Sequence, residues 1–324
     1  MSGHMHRSGD GAQVRTTLAT MGTVALTRAV VACGSSVQQS GCPSACGSPL
    51  LHPATPSSPA ATETASTRTP GFHHAGQLGV AVAFQTATLL GDGSVLIAGG
   101  TIWGSTASSA AYRYDRKTGA IVESGRMAQP RWGQTATLLP DGEVLVSGGA
   151  TTYHGEIGSV TARAELYNPH SNQWRQAASM SIPRYVHQAA LLTDGRVLVA
   201  GGWSFTANSD PSKSSAEIYD PHTDTWAATG SLATARAEFV MLRVGDGRVL
   251  AVDGIDANYR LLSTSEVFDP TTGAWKASGK LQVALMWPAA ALLQDGRVLI
   301  AGGATDIGGS GRTATCELYA PAPR

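Results

Sequence analysis

Three arginines, Arg131, Arg184 and Arg236, each stand ten residues before an Asp-Gly pair. Guanidinium groups gathered in one ring can hold a carboxylate or phosphate, because their paired N–H donors match the oxygens of such anions. The corresponding places in the rest of the chain carry Val82 and Leu285. A second set is aromatic. Trp103, Tyr153, His154, Trp203, Phe205 and Tyr259 all fall just after a Gly-Gly or Asp-Gly pair, among Asn, Asp and Ser. Rings supply contact area while neighbouring polar groups fix orientation, which suits a glycan or peptide ligand. Each set also has a scaffold reading. A buried guanidinium needs a partner, and Glu165, Glu217, Glu266 and Glu317 recur in register to provide one. The rings can equally pack their own loops.

The elements that must position these residues are written five times. "GDGSVLIAGG" from Gly91, "PDGEVLVSGG" from Pro140, "TDGRVLVAGG" from Thr193, "GDGRVLAVDG" from Gly245 and "QDGRVLIAGG" from Gln294 end at residues 100, 149, 202, 254 and 303, about 50 residues apart. A period of that length marks a supersecondary unit that buries its faces only against its neighbours. In each copy an apolar stretch such as "QTATLL" (85–90) leads into the Asp-Gly turn, a hairpin signal in which both central positions are expected at positive φ. The segment "RVLVAGG" then forms the second strand. After a variable loop, "SAEIYDP" (215–221) alternates as a third strand, and "DTW" (224–226) opens a fourth. Glycine at the end of the second strand fits a place where repeats converge and a side chain would collide.

A Gly-Gly pair followed by a Tyr column (Tyr114, Tyr167, Tyr219, Phe268, Tyr319) and a Trp column (Ile121, Trp174, Trp226, Trp275) resembles the kelch repeat family. The resemblance covers residues 72–324 and departs from the pattern at Ile121. It implies an all-β, kelch-type β-propeller, here with five blades, whose closure removes exposed sheet edges. The fifth unit ends at "CELYAPAPR" without a fourth strand, whereas "FHHAGQLGVAVAFQTATLL" (72–90) aligns without gaps on residues 275–293 and puts Phe72 in the Trp column. The amino-terminal strand is therefore expected to complete the last blade. The loops after each second strand then share one face around the axis, where ligands are expected.

The resemblance also raises enzymes. Galactose oxidase, similar in fold, needs two tyrosines, two histidines and a cysteine, and Cys316 in a third strand cannot supply that site. A sialic acid mutarotase of the same repeat type suggests a carbohydrate-active alternative using the arginines with Glu156, Glu238 or Asp256 at the channel mouth. No nucleophile elbow, phosphate loop or zincin helix is present in the sequence, and no cofactor is implied. The expected role is a binding module for a glycan or protein.

Residues 1–33 read as a lipoprotein-type signal segment, with "VVAC" placing Cys33 at the lipidation position. Residues 34–70 form a Ser/Thr/Pro/Ala-rich tether too poor in apolar surface to fold alone, and 71–324 form the propeller. The chain is expected as a secreted or cell-envelope lipoprotein and a monomer, touching membrane only through Cys33. Its net formal charge of zero argues against nucleic-acid binding.

Overall fold

The computed structural model describes residues 76–102, 106–152, 159–205, 213–308 and 310–322. The leader, the tether, Cys33 and Phe72 lie outside these residues, as do Trp103, Tyr153, His154 and Glu156.

The described residues form nineteen strands in five antiparallel sheets. The first holds β1 (Thr86–Leu89), β2 (Val95–Ala98), β3 (Ala110–Tyr114) and β4 (Ile121–Arg126). The second holds β5 (Thr135–Leu138), β6 (Val144–Ser147), β7 (Ala164–Asn168) and β8 (Gln173–Ala177). The third holds β9 (Gln188–Leu191), β10 (Val197–Ala200), β11 (Ala216–Asp220) and β12 (Thr225–Thr229). The fourth holds β13 (Val240–Arg243), β14 (Val249–Val252), β15 (Thr264–Asp269) and β16 (Ala274–Lys280). The fifth has three strands, β17 (Ala289–Leu292), β18 (Val298–Ala301) and β19 (Cys316–Tyr319).

Each first strand neighbours that of the next sheet, from β1 through β5, β9 and β13 to β17. Apolar cores fill the spaces between successive sheets: Leu198, Ile218, Phe239 and Phe268 meet between the third and fourth, and Leu145, Leu166, Val199 and Tyr219 between the second and third. The Tyr and Trp columns lie at these seams, with ring centroids 5.0 Å apart in Tyr167–Trp174 and 5.1 Å in Tyr219–Trp226. Trp226 Nε1 crosses to the Ala178 carbonyl at 2.8 Å, tying β12 to the end of the preceding sheet.

Two expectations change in detail. In the Asp-Gly turns only the glycine is left-handed, as at Gly195 (φ +87°). Gly195 N–H donates to Leu192 O and Leu192 N–H to Arg196 O, so the turn is three residues long with a glycine bulge. The aspartate serves its own turn, Asp194 Oδ1 accepting Arg196 N–H at 3.1 Å. At the amino terminus, residues 76–78 lie outside any strand. They do follow the expected alignment in one respect. A Cβ on Gly76 would lie 3.7 Å from Ile121, as one on Gly125 would lie 3.2 Å from Trp174 in the next unit.

The paired glycines answer to a close backbone approach. Gly202 N–H donates to Arg236 O of the following sheet at 2.9 Å. At its φ of +91° a Cβ would come within 2.8 Å of Tyr185 O and 2.7 Å of His187 Cβ. Only glycine fits both the conformation and the space.

Candidate functional site

The three arginines are scaffold, which corrects the expectation that they ring an anion-binding mouth. All are 0% exposed. Arg184 Nη2 donates to Glu217 Oε1 at 2.9 Å, and Nη1 to the Gly201 and Ser215 carbonyls at 2.9 and 3.0 Å. Arg131 pairs with Glu165 at 2.5 Å and Arg236 with Glu266 at 2.8 Å in the same way. Each glutamate also accepts backbone N–H groups from the incoming connection, Glu217 from Ser181 at 2.7 Å and Ile182 at 3.3 Å. The pair therefore pins that connection to its sheet. A guanidinium so enclosed has no donor left facing solvent. Burial pulls the Arg184 pKa down and Glu217 pulls it back up, with the net shift downward. Burial raises the Glu217 carboxyl, but Ser181 and then Arg184 outweigh it, and the net shift is down.

His187, three residues further on, is 1% exposed, with Nε2 3.1 Å from Thr135 Oγ1. Burial first, and the charge of Arg184 second, hold its pKa well below 6.5. The folded chain thus keeps it neutral, whereas the unfolded chain protonates it near pH 6.5. Stability should fall as pH drops below about 6.5, by up to about 1.4 kcal/mol per pH unit, until the folded pKa is reached. Phe239 fills the same place in the next sheet, buried at 0%. His187→Phe is therefore expected to fold and to remove that slope, read from urea unfolding at pH 7 and pH 5.5. An unchanged slope would assign the acid sensitivity elsewhere.

Along the arginine column the backbone has a feature that the sequence does not reveal. Two residues after the arginine column, Phe84, Gly133, Val186, Glu238 and Trp287 are all left-handed, with φ between +45° and +63°. For a β-branched Val this is an outlier, and such strain persists only where surroundings enforce it. Hydrogen bonds run along the column from sheet to sheet, Val186 N–H to Gly133 O at 2.7 Å and Glu238 N–H to Val186 O at 3.2 Å. Beyond this bulge the first and second strands touch once more, in bridges such as Tyr185 to Trp203 and Ala237 to Ile255. A bulge of this kind re-aims the side chains that flank it.

A chain of rings results. Phe84 meets Trp132 at 5.6 Å, Trp132 meets Tyr185 at 5.2 Å, and Tyr185 meets Phe205 at 5.9 Å. Trp203 lies parallel to Phe205 at 6.5 Å and stacks on Tyr259 at 5.1 Å. Trp203 and Tyr185 are buried among Ala150, Ala237 and Ile255, in a cluster that joins four sheets. Tyr259 is 50% exposed. Its turn is organised by Asp256, whose Oδ1 accepts the N–H groups of Asn258 and Arg260, both at 2.8 Å. Asp256, a candidate acid, is thus committed to presenting Tyr259.

These rings border a cavity of about 130 Å³, walled by Tyr185, Trp203, Phe205 and Tyr259 and floored by Ile255 and Met286, with Glu238 and Ile307 completing it. Trp203 Nε1 donates to Glu238 Oε1 at 3.4 Å. Of the six aromatic-set positions, Trp203, Phe205 and Tyr259 come together here. Glu238, a candidate acid from the sequence, borders the same cavity. Tyr185 and Met286 were missed, although extending the arginine-column alignment by one residue would have picked them out. Among the described residues no group of three His, Cys, Asp or Glu could hold a metal. One carboxylate among rings can hold and orient a ligand.

The sheet pattern and its columns have counterparts among known proteins. A family model described as Kelch motif matches residues 184–232, from the buried arginine to the loop after Trp226. Residues 184–232 are a kelch repeat. Among curated relatives, its kelch segment is 27% identical over 168 residues to Kelch-like protein 36 of Mus musculus, covering 51% of this chain and 26% of that one. It is 33% identical over 79 residues to Kelch-like protein 23 of Mus musculus, covering 24% of this chain and 14% of the relative. Kelch-like protein 38 of Homo sapiens is 34% identical over 77 residues, 24% of this chain and 13% of that protein. The kelch match starts at the Arg184 whose bonds hold the repeat together.

Proposed function

We propose that this kelch chain is a binding module, a closed ring of five blades that presents its axial loop face to a protein or glycan ligand. The observation that carries the reading is the half-exposed Tyr259 ring stacked on buried Trp203 at the edge of the axial cavity. An aromatic held in the open by a dedicated aspartate turn, above a concave apolar floor, is the arrangement expected of a contact hot spot. Ring closure is supported by Gly76, which meets the first sheet as Gly125 meets the second.

Peptide and glycan arrays probed with the wild-type chain and with Tyr259→Asn test this. Asparagine tolerates the left-handed backbone at 259, so folding should survive while a hot-spot contact of about 2 kcal/mol is lost. Ligands of the wild type are expected to bind the variant about 30-fold more weakly. Equal binding by both proteins would remove this face as the site.

A further inference from the structure

We infer that the axial cavity takes an alkylated ammonium group, a trimethylammonium head or the tip of a methylated lysine, rather than a neutral sugar or an anion. The inference rests on reading the loop face as the binding surface and specifies what that face receives.

Four rings and one carboxylate surround the space. Tyr185, Trp203, Phe205 and Tyr259 form its walls, and Glu238 is the acid that faces it. Aromatic rings attract a cation over their faces, and Tyr185 and Phe205 join the stacked Trp203–Tyr259 pair around this one small space. Among the described residues, no lysine, arginine or histidine borders the cavity. Arg236, two residues from Glu238 in sequence, is turned away and paired with Glu266 at 2.8 Å, and Arg184 is paired with Glu217. Burial, and then the nearby charge of Glu238, push the Tyr185 phenol well above its usual range, so Tyr185 remains a neutral ring.

The other candidates fit less well. An anion would meet the carboxylate of Glu238. A sugar needs several hydrogen-bonding partners, whereas Ile255, Met286 and Ile307 supply apolar surface. The volume of about 130 Å³ is close to that of an engineered cavity of about 150 Å³ that holds benzene, so a group of about six heavy atoms fits. A methylated ammonium matches that size, brings apolar methyls to the floor and walls, and carries the charge that Glu238 and the rings attract.

Glu238 is left-handed at φ +56°, as are Phe84, Gly133, Val186 and Trp287 at the same place in the other sheets. That backbone belongs to the repeat; what is particular to the fourth sheet is a carboxylate at this place, on the border of the cavity. Glycine would be unstrained there.

The test is calorimetric titration of the full chain with choline and with its uncharged isostere 3,3-dimethylbutanol, alongside a peptide carrying trimethyl-lysine and the same peptide with norleucine. Choline or the methylated peptide is expected to bind at least about tenfold more tightly than its neutral match. The peptide exceeding choline by more than tenfold would identify a protein-borne group, and near-equality a free small cation. Glu238→Gln should lose at least tenfold in cation binding. Glu238→Gly should lose it as well while keeping or raising the melting temperature, which separates loss of the site from loss of the fold. Equal affinity for choline and 3,3-dimethylbutanol, undiminished binding by both Glu238 variants, or no binding of either cationic probe would overturn the inference. Array ligands that depend on Tyr259 yet show no preference for cations would leave the binding-module reading standing and remove this one alone.

Discussion

Replacing Arg184 by leucine is expected to cost about 3–5 kcal/mol of folding stability, because it strands the Glu217 carboxylate in the interior. Glu217 would keep its bonds from Ser181 N–H and Oγ, at 2.7 and 2.5 Å, but lose the guanidinium at 2.9 Å. The Gly201 and Ser215 carbonyls would lose their donor at the same time. For a domain of this size the melting temperature should fall by about 6–20 °C. The first sheet shows how the same place is filled without charge: Val82 stands at the arginine position and Tyr112 opposite Ile97, where Glu165 stands opposite Val146 in the second sheet. Arg184→Leu combined with Glu217→Leu should therefore cost much less than the sum of the two single changes. Additive losses in that cycle would mean the pair is not energetically coupled.

The pair also sets an acid response. The Glu217 pKa is lower in the fold than in the unfolded chain, so its contribution is present above the ordinary glutamate range and fades as pH falls through the folded value. This loss lies at lower pH than the one expected from His187. The two are separable by their pH windows.

Deleting residues 68–78 is expected to abolish a single cooperative unfolding transition. If the ring closes as proposed, this segment supplies the fourth strand beside β19 and places Phe72 at the tryptophan position. Removing a buried aromatic of that kind costs about 3–5 kcal/mol, and the exposed edge of β19 would invite association. Unfolding followed by tryptophan fluorescence and by circular dichroism should coincide for the parent and diverge for the truncated chain. If the truncated chain unfolds with the parent's midpoint and slope, the amino-terminal segment does not close the ring.

The repeat was legible because it is a local code. Asp-Gly turns, second strands ending in glycine, and Tyr and Trp at fixed offsets located all five second strands and the three four-stranded units that carry Trp. The glycine argument held at Gly202, where a neighbouring carbonyl occupies the space a Cβ would need. The candidate site was less legible. Trp203, Phe205 and Tyr259 were found as exposed-loop aromatics, yet Trp203 is 4% exposed and owes its surroundings to other sheets. The sequence allows Arg131, Arg184 and Arg236 either role, anion ligand or scaffold, and the glutamates that recur in register lean toward scaffold. Their partners are about 30 residues away, and the decision depended on whether any solvent reached them.

By itself, then, the sequence determined the strands, their turns and the repeat that stacks them, since these follow from spacing along one short stretch of chain. Tertiary structure decided what the charged and aromatic columns do. A left-handed residue recurs in every unit, in the fourth at Glu238, and the approach of three sheets gathers Tyr185, Trp203, Tyr259 and Met286 with it around one cavity. No local pattern encodes that gathering, because its cause is the distance between sheets.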